Sequence, residues 1–309
     1  MAEVRPYGPE MRGLWNSFNR EAVNGHFLFD RDFMDYHSDR FTDASLIVFE
    51  GDRAVGLIAA SREGATIHSH QGLSFGGLVV QDTGVSASLA MLDACAAGWR
   101  GAGAQAMVYK ALPSIYHRAP ANGDLYWLFR RGAALVRRDA STVIDYRAPG
   151  PRSERRARGA RKAARAGLTF GRSTRWGDYW RVLEDVLRDR HVAAPTHSLA
   201  EIELLAGRFP DGISLHLAEL AGEVQAGVVI FATDEVAHAQ YIAVGEAGRA
   251  NGALDGLFDH LIAAQNQRRY FSFGISTTEG GQALNEGLVR QKEEFGGGPV
   301  MHDVYRLAL

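Results

Sequence analysis

The side chains best suited to chemistry lie near the end of the chain, in residues 270–298. The first part alternates aromatic and small residues, like a buried strand. Ser276 and Thr277 begin a turn rich in Ser, Thr and Gly, which lets a ligand approach the backbone. Residues 282–295 follow with helical spacing and carry Asn285 and Lys292 on one face. This combination predicts an acyl-transfer site, with a solvated lysine and a surface amide as the structural alternative.

Attack of an amine on an ester or thioester needs a neutral amine, a stabilised oxyanion and a proton for the leaving group. Lys292 could donate to the oxyanion or to a phosphate or ribose of the donor. No covalent nucleophile is required, and the sequence has no Ser-His-Asp pattern. Cys95 lies in a helix-like run and is predicted to be a buried thiol. His191 and His197 lack a third ligand at metal spacing, so we predict no metal site.

Tyrosine and histidine residues earlier in the chain are candidates for contact with the acceptor. Tyr116 and His117 follow a strand and a proline turn, where they could bind the acceptor or carry a proton. A packed tyrosine and a histidine bonded to the backbone are the alternative, and His70 has the same two interpretations. Tyr36 and His37 fit a buried polar network better than substrate contact. The catalytic candidates are Lys292, Asn285, Tyr116 and His117, and the acceptor-binding candidates are Tyr36, His37, His70 and Lys110.

The elements that must position these residues occur twice. Residues 45–58 and 214–229 both predict a hairpin, and they lie about 170 residues apart. Each hairpin is followed by another strand, a long amphipathic helix and a short strand. The repeated order predicts a duplicated α+β unit with a mixed or antiparallel central sheet flanked by helices.

A basic segment separates the two halves. Residues 152–165 contain seven cations and one acid, between a good N-cap, Ser153, and a good C-cap, Gly167. On a helix the spacing gives a basic stripe of Arg155, Arg158, Lys162 and Arg165 and a packing stripe of Ala157, Ala160 and Ala164. The basic face could track phosphates, or it could belong to a solvated linker helix. We predict domains at residues 1–148 and 168–309, joined by a basic linker helix at 149–167.

Composition limits the class of protein. A chain of 309 residues with 46% hydrophobic residues predicts about two domains. The net charge of −2 argues against a surface built for DNA but leaves room for a local basic patch. No apolar run approaches the ~20 residues of a membrane span, and the first residues do not resemble a signal or transit peptide. We therefore expect a cytoplasmic protein.

Several segments resemble one known family. They are FLFDRDFMDYHSDRF (27–41), SHQGLSFGGLVV (69–80), LPSIYHRAP (112–120), RHVAAPTHSLAE (190–201) and LNEGLVRQKEEFGG (284–297). They are similar to tandem-domain acyltransferases of the GNAT superfamily, in the FemAB-like branch. The resemblance implies two tandem GNAT-like domains over nearly the whole chain. In Fem proteins this fold transfers an aminoacyl group from aminoacyl-tRNA to an amine, whereas other GNAT relatives use acyl-CoA.

Two departures from the family pattern bear on the donor. The CoA-binding loop of GNAT enzymes has the form Arg/Gln-x-x-Gly-x-Gly/Ala, and the nearest match, which starts at Arg249 and includes Gly252, ends in Leu254. The Fem branch has a Phe-Lys pair in its last helix, where this chain has Gln291 and Lys292. The lysine role therefore carries over better than the stacking role. The donor-binding candidates are Arg158, Lys162, Arg165, Arg249, Gly252, Ser276 and Thr277.

These observations predict an acyltransferase that forms an amide with an amine of a sugar, an amino acid or a small metabolite. No tightly bound cofactor is expected, and the co-substrate is aminoacyl-tRNA or acyl-CoA, with the first preferred. The expected partners are thus a small amine acceptor and, with the preferred co-substrate, tRNA. An acyl-CoA-dependent N-acetyltransferase is the second hypothesis. A non-catalytic module that binds phosphate groups or RNA is the third.

Overall fold

The computed structural model describes residues 2–191 and 194–309, so residues 192 and 193 of the predicted histidine-containing loop lie outside it. Strands of this part of the chain are β1 (Glu3–Pro6), β2 (Thr42–Asp43), β3 (Leu46–Glu50), β4 (Arg53–Ile58), β5 (Ser61–Glu63), β6 (Thr66–His68), β7 (Leu78–Val80), β8 (Ala106–Lys110), β9 (Ala134–Asp145), β10 (Thr169–Ser173), β11 (Ile213–Leu220), β12 (Glu223–Ala232), β13 (Val236–Val244), β14 (Tyr270–Ile275), β15 (Thr277–Thr278), β16 (Ala283–Leu284) and β17 (Gly298–Ala308).

The helices alternate with these strands. They are α1 (Arg12–Glu21), α2 (Arg31–Met34), α3 (Val85–Gly101), α4 (Gly123–Arg130), α5 (Glu154–Arg165), α6 (Trp176–His191), α7 (Leu199–Arg208), α8 (Glu246–Asn251), α9 (Ala253–Ala264) and α10 (Glu286–Glu293). Capping side chains fix the residue at which several of these helices begin. Ser198 accepts a hydrogen bond from the Glu201 N–H while the Glu201 side chain returns to the Ser198 backbone, a reciprocal cap at the start of α7.

The chain forms two compact units. Unit 1 comprises Met1–Ala140, Thr277–Ala283 and Met301–Leu309, and unit 2 comprises Ser141–Ser276 and Leu284–Val300. The predicted domains are contiguous in sequence, whereas two late segments belong to the first unit. The predicted α+β fold class is confirmed, since helices flank both antiparallel and parallel strand pairs.

Unit 1 contains two sheets. One is antiparallel with the strand order β1-β3-β4-β7, and the other has the order β17-β8-β6-β5-β2, with β6 and β8 parallel. Helix α3 contributes Cys95 and Trp99 to the core, and β8 contributes Met107 and Tyr109. The prediction of a buried thiol is confirmed, because Cys95 is 0% exposed and burial raises its pKa to about 12.

Unit 2 is built on strands in the order β10-β11-β12-β13-β14-β9, which are antiparallel except for the pair β13 and β14. Phe271 and Phe273, predicted to be core residues, are 0% and 2% exposed. Their rings pack with those of Phe258 on α9 and Phe295 beyond α10. The core therefore joins α9, β14 and the end of α10 in one aromatic cluster.

Helix α5 packs within unit 2, against α9. Ser153 caps it by accepting a hydrogen bond from the Arg156 N–H. Its buried side is formed by Arg156, Ala160 and Ala163, and Ala164 is exposed. The predicted alanine stripe was therefore wrong at its last position, because Arg156 rather than Ala157 faces the core and sets the phase of the helix.

Helix α10 is shorter than the predicted helix at residues 282–295. It begins after Asn285, whose side-chain oxygen accepts a hydrogen bond from the Leu288 N–H at 3.0 Å. Residues 283 and 284 are extended instead. In the described residues, no helix combines the length and apolar character that a membrane span requires.

Candidate acyl-transfer site

The parallel strands β13 and β14 of unit 2 pair over only three residues each. The ladder joins Val236–His238 to Tyr270–Ser272 and then stops. Strand β13 continues to Val244, so its second half has no partner in β14. Backbone N–H and C=O groups on that side are therefore free to contact a ligand, since they must find hydrogen-bonding partners outside the ladder.

The unpaired second half of β13, next to the end of β14, is called the β13–β14 gap below. Two irregularities lie beside it. In the pairing of β12 with β13, Ile230 faces Ala239 while Val229 faces Tyr241, which leaves Gln240 as a bulge. Bulges are frequent beside active sites, where they redirect backbone and side-chain groups. On the other side of the gap, Gly274 has a φ of +76°, a conformation that favours glycine. Gly274 lies just beyond the last residue of β14 that pairs with β13, Ser272, and between Ser272 and Ile275 the register of β14 against β9 also shifts.

Lys292 binds two carbonyl groups at the end of β14. Its side-chain nitrogen donates to the carbonyl oxygens of Gly274 at 2.9 Å and Ile275 at 2.7 Å. The side chain is 6% exposed, and burial lowers the pKa of Lys292 to about 8. A lysine ammonium has three N–H donors, so these two carbonyl groups leave one donor for a substrate oxygen.

The other candidates from the end of the chain are Asn285, Ser276 and Thr277. Asn285 caps α10, and its own N–H donates to the carbonyl oxygen of Ser276 at 2.9 Å. The Ser276 hydroxyl is buried without a hydrogen-bond partner, so it can receive one from a ligand. Thr277 belongs to unit 1, where its hydroxyl donates to the carboxylate of Asp139 at 2.7 Å.

Unit 1 has an equivalent break between strands, but it is filled. In unit 1, β7 and β8 come before and after α3 in the chain, as β13 and β14 come before and after α8 and α9 in unit 2. Unlike β13 and β14, the strands β7 and β8 lie in different sheets. The Tyr109 hydroxyl accepts from the Leu78 N–H at 2.8 Å and donates to Asp124 at 2.7 Å. A Cβ atom on Gly77 would lie 2.6 Å from this hydroxyl. Gly77 thus leaves room for the Tyr109 hydroxyl, and among the described residues only unit 2 keeps an open gap of this kind.

The N-terminal end of α9 is covered by α5. Gly159 packs against the Asp255 side chain in the first turn of α9, and its carbonyl oxygen would lie 2.6 Å from a Cβ atom on Gly252. Asp255 already places a carboxylate at this positive end of the helix dipole. Arg249 is exposed on α8, and the Gly252 N–H donates to the Arg249 carbonyl group. An incoming pyrophosphate would meet a packed helix and a carboxylate at this point.

A buried arginine that the sequence analysis did not single out connects α5 to α9 and α10. Arg156 donates to Asp255 at 2.5 Å and to Glu294 at 2.7 Å, and it is 7% exposed. Its guanidinium group also lies 5.6 Å from the centre of the Phe295 ring. The only sequence feature that could have indicated its burial is its helical spacing from Ala160. The predicted stripe of Ala157, Ala160 and Ala164 assigned the packing face to other positions.

The remaining basic residues of the segment 152–165 are exposed. Arg152 pairs with Asp259, and Arg161 pairs with Glu154. Three further cations are exposed on the helix and form no ion pair within 4 Å among the described residues, although Arg158 helps to lower the pKa of Glu154: Arg158, Lys162 and Arg165. These three donor-binding candidates thus form a local positive surface on unit 2.

The candidates Tyr116 and His117 lie in unit 1. The Tyr116 ring packs against Phe75 at 4.7 Å and His26 at 5.3 Å between ring centres, and it is 4% exposed. Burial lowers the pKa of His117 to about 4, so this imidazole is neutral near pH 7. The pair therefore offers an aromatic core residue and a neutral histidine rather than a charged acid.

Three acceptor-binding candidates come together in unit 1. The His37 ring lies 4.3 Å from the Tyr36 ring and 5.4 Å from the His70 ring. Lys110 supports the turn that follows His70, since its nitrogen donates to the carbonyl oxygens of His70, Gln71 and Leu73 at 2.7–3.2 Å. Burial lowers the pKa of Lys110 to about 8. Lys110 thus shapes the site through the backbone of this turn.

A family model matches part of the chain. The family model described as "Acetyltransferase (GNAT) domain" matches residues 152–280, which include α9, β13 and β14. No curated protein matches the sequence.

Solved structures share the whole fold at low identity. The crystal structure of FemX aligns with a TM-score of 0.69 and 12% identity, over 99% of this chain and 97% of that one. A tandem GNAT protein from the clavulanic acid biosynthesis pathway gives 0.52 and 12%, over 100% and 98%. The C-terminal domain of a putative lysylphosphatidylglycerol synthetase from Agrobacterium fabrum gives 0.57 and 15%, over 82% and 81%. The chain therefore has a FemAB-like GNAT fold, as the sequence resemblance predicted.

Proposed function

We propose that this acyltransferase with a FemAB-like GNAT fold forms an amide by moving an aminoacyl group from aminoacyl-tRNA to the amine of a sugar, an amino acid or a small metabolite. The observation that carries the proposal is the interrupted pairing of β13 and β14, with Lys292 bound to the carbonyl group of Gly274. This arrangement leaves backbone groups of β13 unpaired and places the buried ammonium group of Lys292 at the end of β14.

The chemistry at this gap needs no covalent enzyme intermediate. The neutral acceptor amine attacks the carbonyl carbon of the aminoacyl ester, and a C–N bond forms as the oxyanion develops. N–H groups of β13 near the Gln240 bulge and the third N–H of Lys292 stabilise that oxyanion. The C–O bond to the ribose then breaks, and the proton lost by the amine passes to the leaving oxygen.

The choice of donor follows from α5. Because this helix covers the N-terminal end of α9, the position at which GNAT enzymes hold a pyrophosphate is occupied by Gly159 and Asp255. The same helix presents Arg158, Lys162 and Arg165 to solvent, and exposed cations along a helix bind a nucleic-acid backbone by releasing counterions. The name of one structural neighbour, lysylphosphatidylglycerol synthetase, also refers to an aminoacylated product.

Acyl-CoA is the second candidate donor. It is favoured by the description of the matched family as an acetyltransferase domain and by the tandem GNAT neighbour. Under this alternative the acceptor and the β13–β14 gap are unchanged, and only the donor surface differs. The third hypothesis, a non-catalytic module for phosphate groups or RNA, would use the cations of α5 without the gap.

The proposal is tested by a product screen. The full chain is incubated with mixed aminoacyl-tRNA or with acetyl-CoA and a panel of amines, and amide products are detected by mass spectrometry. We expect product from aminoacyl-tRNA, its loss in Lys292→Met, and donor binding that is retained in that variant. Product from acetyl-CoA alone would select the second hypothesis. RNA binding without product from either donor would select the third.

A further inference from the structure

Two polar side chains of unit 2 lie where the β13–β14 gap begins. His238 of β13 and Ser272 of β14 form the last pair of the short parallel ladder. Ser272 lies between Phe271 and Phe273, which pack in the core with α9, and His238 lies between two alanines of the same core. Because neighbouring residues of a strand point to opposite faces of the sheet, His238 and Ser272 project together from the other face.

The Ser272 hydroxyl is the centre of a hydrogen-bonded cluster. Its oxygen lies 3.0 Å from Nδ1 of His238 and 3.4 Å from the Ser141 hydroxyl oxygen, and it accepts from the Gly274 N–H at 3.3 Å. Ser272 and Ser141 are buried, whereas His238 is half-buried. All four residues belong to unit 2. The two serines therefore hold one side of the imidazole ring at the start of the gap.

The other side of the imidazole ring lies against Gly274. A Cβ atom on this glycine would lie 3.3 Å from Cε1 and 3.9 Å from Nε2 of His238. The carbonyl oxygen of the same glycine accepts from the side-chain nitrogen of Lys292 at 2.9 Å. Lys292 and His238 thus meet at one residue, where the first supplies a hydrogen-bond donor and the second is a side chain that exchanges protons.

The amide-forming reaction needs a group that moves a proton. In the tetrahedral intermediate, the amine nitrogen and the leaving oxygen are bonded to the same carbon. Direct transfer of a proton between them passes through a four-membered ring, far from the linear geometry that hydrogen bonds prefer. A separate base avoids this geometry. Lys292 cannot be that base, because an ammonium group that donates to carbonyl oxygens has no lone pair.

The Ser272 hydroxyl decides which nitrogen of His238 carries a proton. Its oxygen already accepts from the Gly274 N–H, so its single proton goes either to Ser141 or to Nδ1 of His238. If the proton goes to Ser141, Nδ1 carries a proton of its own and donates to Ser272, and Nε2 keeps its lone pair. If the proton goes to His238, Nε2 is the protonated nitrogen. Only the first arrangement makes Nε2 a base.

We propose that His238 carries the proton from the acceptor amine to the leaving oxygen of the donor, and that Ser272 is its positioning residue. The inference rests on the proposed function. As the C–N bond forms, Nε2 takes the proton of the attacking amine, and the resulting imidazolium donates from Nδ1 to Ser272. As the C–O bond to the ribose breaks, the bonding electrons stay on the ribose oxygen, which takes the proton from Nε2. The imidazole returns to its neutral form.

The protonation state of His238 can be measured without any substrate. Long-range proton–nitrogen NMR spectra of the chain with isotope-labelled histidine distinguish Nδ1–H from Nε2–H. The signal that disappears in His238→Gln identifies this residue among the eleven histidines. We expect Nδ1–H in the native chain at about pH 8.5, above the usual titration range of histidine. Ser272→Ala should abolish the preference for this form, because it removes the acceptor.

A second serine–histidine pair of unit 2 supplies the matched control. The Ser214 hydroxyl oxygen lies 3.0 Å from Nε2 of His216, on β11. Ser214→Ala is therefore the same change at a histidine outside the gap. It should leave the His238 signal and the rate of acyl transfer unaltered.

Transfer kinetics test the role of the proton carrier. His238→Gln keeps a side chain that can bond to Ser272 but cannot carry a proton. We expect kcat to fall about 100-fold or more, while tRNA binding is retained. Ser272→Ala should lower kcat about tenfold, because it removes one hydrogen bond from the imidazolium.

The outcomes separate this inference from the proposed function. Nε2–H in the native chain would overturn the proton role, as would equal losses of kcat in Ser272→Ala and Ser214→Ala. Transfer with a normal kcat in His238→Gln would overturn the proton role and leave the proposed function. Absence of transfer by the native chain with either donor would overturn the proposed function, and the proton role with it.

Discussion

The side-chain nitrogen of Lys292 lies 2.9 Å from the carbonyl oxygen of Gly274, a residue with a φ of +76° just beyond the point at which the pairing of β13 with β14 ends. This contact joins α10 to the gap that supplies the free backbone groups of unit 2. It assigns Lys292 two roles, since the lysine holds the end of β14 in place and retains one N–H donor for the reaction.

Replacement of Lys292 should therefore affect both transfer and stability. Lys292→Met leaves two buried carbonyl groups without their donor, so we expect a loss of about 1–3 kcal/mol in the free energy of unfolding. Loss of an oxyanion donor should lower kcat by about 100-fold or more. Denaturant unfolding and steady-state kinetics measure the two effects. The control Arg290→Met removes an exposed cation of the same helix and should change neither. A normal kcat in Lys292→Met would contradict the catalytic role.

The depressed pKa of Lys292 predicts how stability depends on pH. Its pKa is about 8 in the folded chain because of burial, and about 10.4 in an unfolded chain. Between these values the unfolded state binds more protons, so the contribution of this lysine to stability rises with pH. The stability of the native chain relative to Lys292→Met should increase by about 2 kcal/mol between about pH 7.5 and 9.5. Urea titrations across this range measure the difference, and a constant or shrinking gap would show that the lysine is not desolvated.

Arg156 should be among the most sensitive positions of unit 2. Arg156→Met removes the partner of two largely buried carboxylates, Asp255 and Glu294, and such an unpaired charge costs about 3–5 kcal/mol. Thermal and denaturant unfolding of the purified chain measure the loss. The adjacent exposed Arg155 lies 3.7 Å from Glu294, and Arg155→Met should cost less than about 1 kcal/mol. Equal losses in the two variants would mean that the buried network does not hold α5 in place.

The close packing of α5 on α9 can be tested with one methyl group. Alanine is the better helix former by about 1 kcal/mol, but in Gly159→Ala the new Cβ atom would collide with Asp255. We expect a net loss of about 1–3 kcal/mol in the free energy of unfolding. Gly207→Ala in α7 has open space and should be neutral or stabilising. If both variants were stabilising, the N-terminal end of α9 would be more open than the structure shows.

The cations of α5 predict a change in salt dependence. If Arg158, Lys162 and Arg165 contact phosphates, the triple change to Gln should reduce the slope of log K for tRNA against log salt concentration by about 2 to 3. Filter binding of tRNA at several salt concentrations measures the slope. The matched triple change of the exposed residues Arg53, Arg100 and Arg130 of unit 1 should leave it unaltered. An unchanged slope in the α5 variant would remove the support for a nucleic-acid donor.

Much of the fold could be predicted because local signals were strong. The hairpins predicted at residues 45–58 and 214–229 are present as the antiparallel pairs β3–β4 and β11–β12. The C-terminal strand β17 was not predicted. Its pairing with β8 depends on residues nearly two hundred positions earlier, and no local pattern encodes such a partner. For the same reason, no local pattern predicts that residues 277–283 belong to unit 1.

The candidate site could be predicted only in part. Lys292 was singled out because it matches the lysine of the Fem pattern, whereas its place on the polar side of the helix also fitted a solvated lysine. Its burial could not be predicted, because its partners are backbone carbonyl groups, which any sequence would supply. Arg156 could not be distinguished from its exposed neighbours, because burial of an arginine depends on where Asp255 and Glu294 fold. The bulge at Gln240 arises from the register of β12 against β13, and residue type alone does not reveal it.

One measurement tests the central claim, that the gap between β13 and β14 transfers an aminoacyl group from tRNA. The full chain is given equimolar aminoacyl-tRNA and acetyl-CoA with 1,4-diaminobutane as the acceptor, with and without prior ribonuclease treatment, and the amide products are identified by mass spectrometry. We predict the aminoacyl amide as the main product, and its loss after ribonuclease treatment or in Lys292→Met. An acetyl amide that forms whether or not ribonuclease is added would contradict the account.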